Sequence, residues 1–181
     1  LKKWNRAINL TAIDDDREIL VKHFIDSIYG LKVIDINNEI ELLDVGAGAG
    51  FPALPLKFVR PQLSVELLEP SEKKGAFLRY VVGSLGLQNV TVATAKLEDY
   101  AGRGNVQGRF DYIVVRAFKV DQFGVALSTL LKPDGKLVLY RAEKVPRSFE
   151  LVGLALIKEV EYELHARYGH RVFSVYSKAL R

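Results

Sequence analysis

The chain has 181 residues, 49% of them hydrophobic and 27% charged, with no cysteine and no methionine. Such a chain fits one globular domain around one substantial core, and the missing cysteines exclude disulfides, thiolate metal sites and a cysteine nucleophile. Three histidines, His23, His165 and His170, are too few for a histidine metal cluster, and a net charge of +4 admits a nucleic-acid partner without requiring one.

No internal repeat or low-complexity segment appears. The apolar run "LVGLALI" is too short to span a bilayer, and no basic stretch leads into a signal-type core. The expectation is a cytoplasmic, metal-free monomer with no membrane segment.

The opening "LKKWNRAINL" places Leu1, Trp4 and Ile8 on one helical face. Trp4 on that face is a core residue before it is a base-stacking one. "DDDREILVKHFIDSIYGL" begins with capping acids and spaces Ile19, Leu20, Phe24, Ile28 and Leu31 as one helix. Residues 1–37 are therefore expected as a helical segment packed on a main domain over 38–181, the two forming one compact unit.

The rhythm then changes. "EIELLDV" is a buried strand, followed by glycines and a helix "PALPLKFVR" with Pro52 in its first turn. "LSVELLE" is a second strand. "SEKKGAFLRYVVGSLG" is a helix capped by Ser71 and closed by Gly86. "NVTVAT" and "FDYIVV" are the third and fourth strands. "VDQFGVALSTLL" is a helix, "KPDG" a turn and "KLVLYR" the fifth strand. "PRSFELVGLALI" is expected to be helical, and "EVEYELHARY" and "RVFSVYSK" to be two closing strands. Strands alternating with helices predict a doubly wound, mostly parallel α/β sheet.

In such a sheet the first strand–helix turn is where nucleotide-like ligands bind. Here that turn is "DVGAGAGFP": Asp44 precedes Gly46, Gly48 and Gly50, and the second strand ends in Glu69. The spacing is G-x-G-x-G, because Phe51 stands where a dinucleotide pattern would continue, and that suits a ligand with no pyrophosphate. An acid ending the second strand suits ribose hydroxyls. The ligand best matched is S-adenosylmethionine, its amino-acid part against the glycines and its ribose on Glu69. A glycine-rich turn without a ligand is the plainer alternative.

The elements "KWN" with "NLTAI", "HFIDS", "DVGAGAGFPALPL" and "FDYIVVRAF" closely resemble the bacterial glucose-inhibited division protein B family, 16S rRNA guanine-N7 methyltransferases, over nearly the whole chain. The resemblance implies a Rossmann-like class I methyltransferase fold with an extra N-terminal helical segment, in which the family has more residues before "KWN". It implies S-adenosylmethionine as cofactor and 16S rRNA or the small ribosomal subunit as partner. By position, Gly46, Gly48, Gly50 and Phe51 match the methionine-binding loop and Glu69 the ribose acid. Leu97 and Glu98 match the segment beside adenine, where Lys96 replaces an arginine. Arg116 matches the arginine ending the fourth strand, near methyl donor and RNA. His23, Asp26 and Ser27 match the helix that closes over the site. Ala53 replaces a glycine, and Val115 and Arg141-Ala142 replace a serine and Lys-Gly on the substrate side.

Guanine N7 has an in-plane lone pair and no proton, so its methylation needs positioning more than a base. No "NPPY"-type turn follows the fourth strand, which weakens exocyclic-amine methylation, and no cysteine is present for the covalent route to pyrimidine C5. Arg116 is the candidate catalytic residue. The ordinary alternative for it is an ion pair with Asp111 or Asp44. His23, Asp26, Ser27, Lys119, Arg141 and Lys144 are candidates for the RNA side, with Arg147 beyond them. His23 is a structural, hydrogen-bonded histidine before it is a catalyst, and Lys73 and Lys74 fit RNA phosphate or a solvated face alike. Two other readings stay open: a non-catalytic RNA-binding or ribosome-assembly protein on the same fold, and a nicotinamide-dependent oxidoreductase.

Overall fold

The computed structural model describes residues 1–35 and 39–179, side chains 166 and 167 excepted. The expected boundary between residues 37 and 38 lies outside the described residues. Seven strands form one sheet in the order β3-β2-β1-β4-β5-β7-β6. They are β1 Glu41–Val45, β2 Ser64–Leu68, β3 Val90–Ala93, β4 Phe110–Arg116, β5 Leu131–Arg141, β6 Leu154–Glu163 and β7 His170–Lys178. β1 to β5 pair in parallel, and β7 inserts antiparallel between β5 and β6. The expected doubly wound, mostly parallel sheet is the observed one.

The central strands are apolar at nearly every position because both faces are covered. Alternation sends Leu42 and Val114 into the core beneath α1 (Lys2–Ile8), α4 (Ala53–Val59) and α5 (Glu72–Ser84). It sends Leu43 and Ile113 into the opposite core with Leu127 and Leu137. α6 (Leu97–Ala101) and α7 (Gly124–Leu130) cover that second face. Trp4 packs on α5, with ring centroids 5.6 Å from Phe77 and 5.3 Å from Tyr80.

The long N-terminal helix keeps its place but changes pitch. α2 (Asp16–Ile19) is capped by Asp15, whose carboxylate accepts from Glu18 N. A π-helical stretch, Leu20–Ile25, follows, then α3 (Asp26–Ile28) and a 3-10 turn, Tyr29–Lys32. The wider stretch rotates the faces: Leu20 and Ile25 are 54% and 38% exposed, while Asp26 and Ser27 are buried. Such insertions recur at functional sites, and here Asp26, off the apolar stripe of a regular helix, is turned inward.

Four elements differ from expectation. "KPDG", expected as a turn, lies inside β5, which starts at Leu131 and keeps its pairing with Phe110 across a register shift in β4. No helix forms over residues 146–157; Leu151 bridges Leu154 and β6 begins there. Gly153, at φ +83°, makes the turn. The short apolar run "LVGLALI" suits either state, and the outer edge of β7 carries unpaired N–H and C=O groups that a strand satisfies and a helix does not. "EVEYELHARY" leaves the sheet after Glu163 and forms α8 (His165–Tyr168). α6, a short helix after β3, has no counterpart in the expected pattern.

Candidate active site

The carboxyl ends of β1, β2 and β4 meet at one edge. Beyond β1, the N–H groups of Gly46 and Ala47 both donate to Leu68 O, at 2.9 and 3.1 Å, so the glycine turn lies against the end of β2. Glu69 follows that strand and is buried. Its Oε2 accepts from Gly48 N at 2.9 Å and its Oε1 from Ser71 N at 3.0 Å. Glu69 thus ties the turn to the α5 N-cap, and each oxygen retains a lone pair.

The three glycines serve different purposes. A Cβ on Gly50 would lie 2.3 Å from Leu54 Cδ1, so packing against α4 requires this glycine. A Cβ on Gly46 would press on Phe118 at 3.3 Å. At Gly48, with φ +57°, a Cβ would meet only Gly46 O, at 3.8 Å, and would project into open space. Of the three, Gly48 is the one whose missing side chain leaves room for a ligand.

Asp44 sits beneath this turn, 1% exposed. Its Oδ2 accepts from Ala53 N at 3.0 Å, fixing the start of α4, and Oδ1 is buried with no hydrogen-bond partner. Burial raises the pKa of its carboxyl to about 7, against the Ala53 hydrogen bond and the Arg116 charge, which lower it. A buried, unpartnered carboxylate oxygen beside the turn suits a cationic ligand. A cavity of about 270 Å³ adjoins Gly46, lined by Leu68, Pro70, Lys96, Leu97, Glu98, Phe118 and Phe123. Phe118 and Phe123 stack at 5.4 Å. Slot, open glycine, lone-pair-bearing Glu69 and buried carboxylate fit the adenine, ribose and cationic amino-acid parts of S-adenosylmethionine. Sequence reasoning misses Pro70, Phe118 and Phe123 as slot residues, since an aromatic after a strand has no local signal to separate it from core.

Arg116, at the end of β4, faces the N-terminal segment. Its Nη1 donates to Asp26 Oδ2 at 3.1 Å and to Lys22 O at 3.2 Å, and its Nη2 donates to His23 Nδ1 at 2.9 Å. The guanidinium carbon is 5.4 Å from the Phe51 ring centroid, and His23 stacks on that ring at 4.9 Å. The ion-pair partner is Asp26, not Asp111 or Asp44. Asp111 lies at the far edge of the sheet, accepting from Lys132 Nζ and Glu41 N.

A guanidinium only donates, so His23 Nδ1 is the bare nitrogen and Nε2 carries the proton, which it gives to Thr11 Oγ1 at 2.8 Å. Burial, with the Arg116 charge second, holds His23 down to about 4. It is neutral near pH 7, an acceptor for Arg116. Asn5 and Thr11 exchange two hydrogen bonds, Thr11 N to Asn5 Oδ1 at 2.8 Å and Asn5 Nδ2 to Thr11 O at 2.9 Å. Tyr162 donates to Asp26 Oδ1 at 2.6 Å, and Tyr140 to Ser27 O at 3.1 Å. The "KWN", "NLT" and "H-x-x-DS" elements therefore converge on Arg116.

This corrects part of the expected RNA side. Asp26 and Ser27, 5% and 0% exposed, face the interior and cannot meet RNA directly. His23 is half-buried between Phe51, Thr11 and Arg116. Lys119 is exposed. Arg141 lies 5.6 Å from the Phe149 ring and donates to Glu143 O, and Lys144 pairs with Glu161 on the surface. Among the described residues no group of three His, Asp or Glu could hold a metal ion, and no helix is long and apolar enough to cross a membrane.

The fold is that of S-adenosylmethionine-dependent methyltransferases. A methyltransferase of this kind from Aquifex aeolicus superposes with a TM-score of 0.66 at 20% identity, over 95% of this chain and 97% of that one. A variant of MtNAS in complex with S-adenosylmethionine superposes with a TM-score of 0.71 at 14% identity, over 99% of this chain and 72% of that one. Sequence goes further. Ribosomal RNA small subunit methyltransferase G of Lactococcus lactis subsp. cremoris is 35% identical over 176 residues, 91% of this chain and 73% of that protein. Its counterpart in Streptococcus sanguinis is 40% identical over 152 residues, 83% of this chain and 64% of that protein. With the family profile for rRNA small subunit methyltransferase G also matching residues 1–163, this chain belongs to that family.

Proposed function

We propose that the chain transfers a methyl group from S-adenosylmethionine to N7 of a guanosine in 16S rRNA, with the small ribosomal subunit or its RNA as partner. The observation that carries this is the cradle at the β1–β2 edge: Glu69 locked to Gly48, open space at Gly48, and an aromatic-floored slot beside Gly46. Bound there, S-adenosylmethionine supplies an electrophilic sulfonium methyl: the N7 lone pair forms the N–CH3 bond as the S–CH3 bond breaks, its electrons stay on sulfur, and the positive charge passes to guanine with no proton moving.

The chain's residues then have positioning and electrostatic tasks. Glu69 shapes the turn and has lone pairs left for ribose hydroxyls. Leu97, Phe118 and Phe123 hold a flat base by apolar contact. Asp44 supplies buried negative charge beneath the turn. A guanidinium offers donors and no acceptor, so Arg116 is no base. Three of its five N–H groups are bound to Lys22, Asp26 and His23, and two remain for RNA phosphate or the target base. A fixed guanidinium at the strand end orients the substrate without reorganising during the reaction.

Transfer of labelled methyl groups to small subunits lacking the modification, followed by mapping of the methylated base, tests this. Label at guanine N7 supports it. Donor binding without transfer would favour the non-catalytic reading, and label on another atom would overturn the N7 assignment.

A further inference from the structure

A second cleft opens at the opposite edge of the sheet, where β4 and β5 begin. Its volume is about 410 Å³, and Lys32, Arg60, Lys136 and Lys158 line it together with Tyr112 and Asp35. The four cations come from four separate segments: the 3-10 turn, the end of α4, β5 and β6. Lys136 pairs with Tyr112 in the sheet register, and its ammonium lies 6.0 Å from the Tyr112 ring. The Lys32 ammonium lies 5.0 Å from the Tyr29 ring. None of the four forms an ion pair among the described residues, although the chain pairs many of its other cations. Asp35 is the only acid among the described residues lining the cleft.

Like charges gathered in a concave site repel one another and focus a positive field outward. The ring contacts of Lys32 and Lys136 offset that repulsion only in part, and a polyanion relieves it. From Tyr112 to Arg116 is four residues of β4, about 13 Å of strand. A folded RNA spans that distance easily. Resting on the rRNA-methyltransferase reading, we infer that this cleft is a second RNA-phosphate site, an anchor remote from methyl transfer that holds the RNA backbone through Lys32, Arg60, Lys136 and Lys158. It touches no base and no methyl donor, so it adds to RNA affinity and not to the rate of transfer once RNA is bound.

The test uses the whole chain with Arg60→Gln, Lys136→Gln and Lys158→Gln combined. Melting temperature and S-adenosylhomocysteine affinity should match the wild type. Affinity for 16S rRNA fragments should fall about tenfold or more, and the slope of log affinity against log salt should shrink by roughly 0.7–0.9 for each phosphate that is no longer neutralised. KM for RNA should rise while kcat at saturating RNA stays. Unchanged RNA affinity and salt slope in a variant that still binds the product would overturn the inference and leave the methyltransferase reading intact. A wild type that neither binds nor methylates rRNA would overturn both. Inorganic triphosphate titrated into both proteins separates the sources: triphosphate bound by the wild type and lost in the variant, with RNA affinity unchanged, would make this a small-anion site and also overturn it.

Discussion

Asp26 and Arg116, 90 residues apart in sequence, meet at 3.1 Å and join the N-terminal segment to the end of β4. Asp26 divides its oxygens, one to Arg116 and one to the Tyr162 hydroxyl. The side chains of the pair are only 7% and 15% exposed, so removing one partner leaves the other charge poorly compensated. Asp26→Asn should lower stability by about 3 kcal/mol, the scale for breaking a buried pair. Methyl transfer should fall with it, because Arg116 loses its fixed orientation. Denaturant melts and single-turnover methylation on this variant, beside Tyr162→Phe as a milder perturbation, check this. Full activity in Asp26→Asn would detach the pair from catalysis.

His23 gives a pH dependence of definite sign. Unfolded, it titrates near 6.5; folded, it is held down to about 4. Between those values the unfolded chain binds a proton that the folded chain refuses. The stability His23 confers is complete above about 6.5 and is lost as pH falls toward about 4. His23→Asn keeps an acceptor near the Arg116 Nη2 group and cannot become charged. It should flatten that acid limb of the stability profile, at a cost near neutrality of about 1 kcal/mol for the Thr11 hydrogen bond. Urea melts of both proteins between pH 4 and 8 give the comparison.

Asp44 acts in the other direction. Burial raises it to about 7 from 3.8, so here the folded chain binds the extra proton. This contribution is complete below about 4 and is lost as pH rises through about 7. Asp44→Asn can still accept from Ala53 N and has no charge to bury. It should be at least as stable as the wild type at pH 8 and should bind S-adenosylmethionine about tenfold or more weakly, the scale of a hydrogen bond to a charged group. Calorimetry at pH 6 in two buffers should show proton release on donor binding in the wild type and none in the variant.

The glycines separate ligand space from packing. Gly48→Ala should stay folded, losing about 1–2 kcal/mol for a side chain at positive φ, and should lose most donor affinity. Gly50→Ala would drive a Cβ to 2.3 Å from Leu54 and should melt well below the wild type. Equal donor affinity in folded Gly48→Ala would place the ligand elsewhere.

Much of this fold is written locally. β1 to β4 are apolar runs bounded by turn residues, and the glycine–acid order marks the ligand edge. The last third is not local. "LVGLALI" suits a helix or a strand, and only the unpaired edge of β7, distant in sequence until β6 lies beside it, decides for a strand. The cradle was legible in composition but not in role. Nothing local says that Gly50 answers to Leu54, or that Glu69 already holds two backbone N–H groups. The RNA side was least legible. Asp26 lies off the apolar stripe that Phe24, Ile28 and Leu31 mark on a regular helix, and the π-helical stretch before it rotates it inward.

Arg116→Ala is the most direct test of the account. Methyl transfer to undermethylated small subunits should be measured in single turnover for wild type and variant, with donor affinity and melting temperature taken on the same preparations. The wild type should place one methyl on guanine N7 of 16S rRNA. The variant should bind S-adenosylmethionine nearly as well and transfer at least about tenfold more slowly at a temperature where it remains folded, as expected for lost positioning. Wild-type rates in Arg116→Ala, or a loss that merely tracks unfolding, would contradict it.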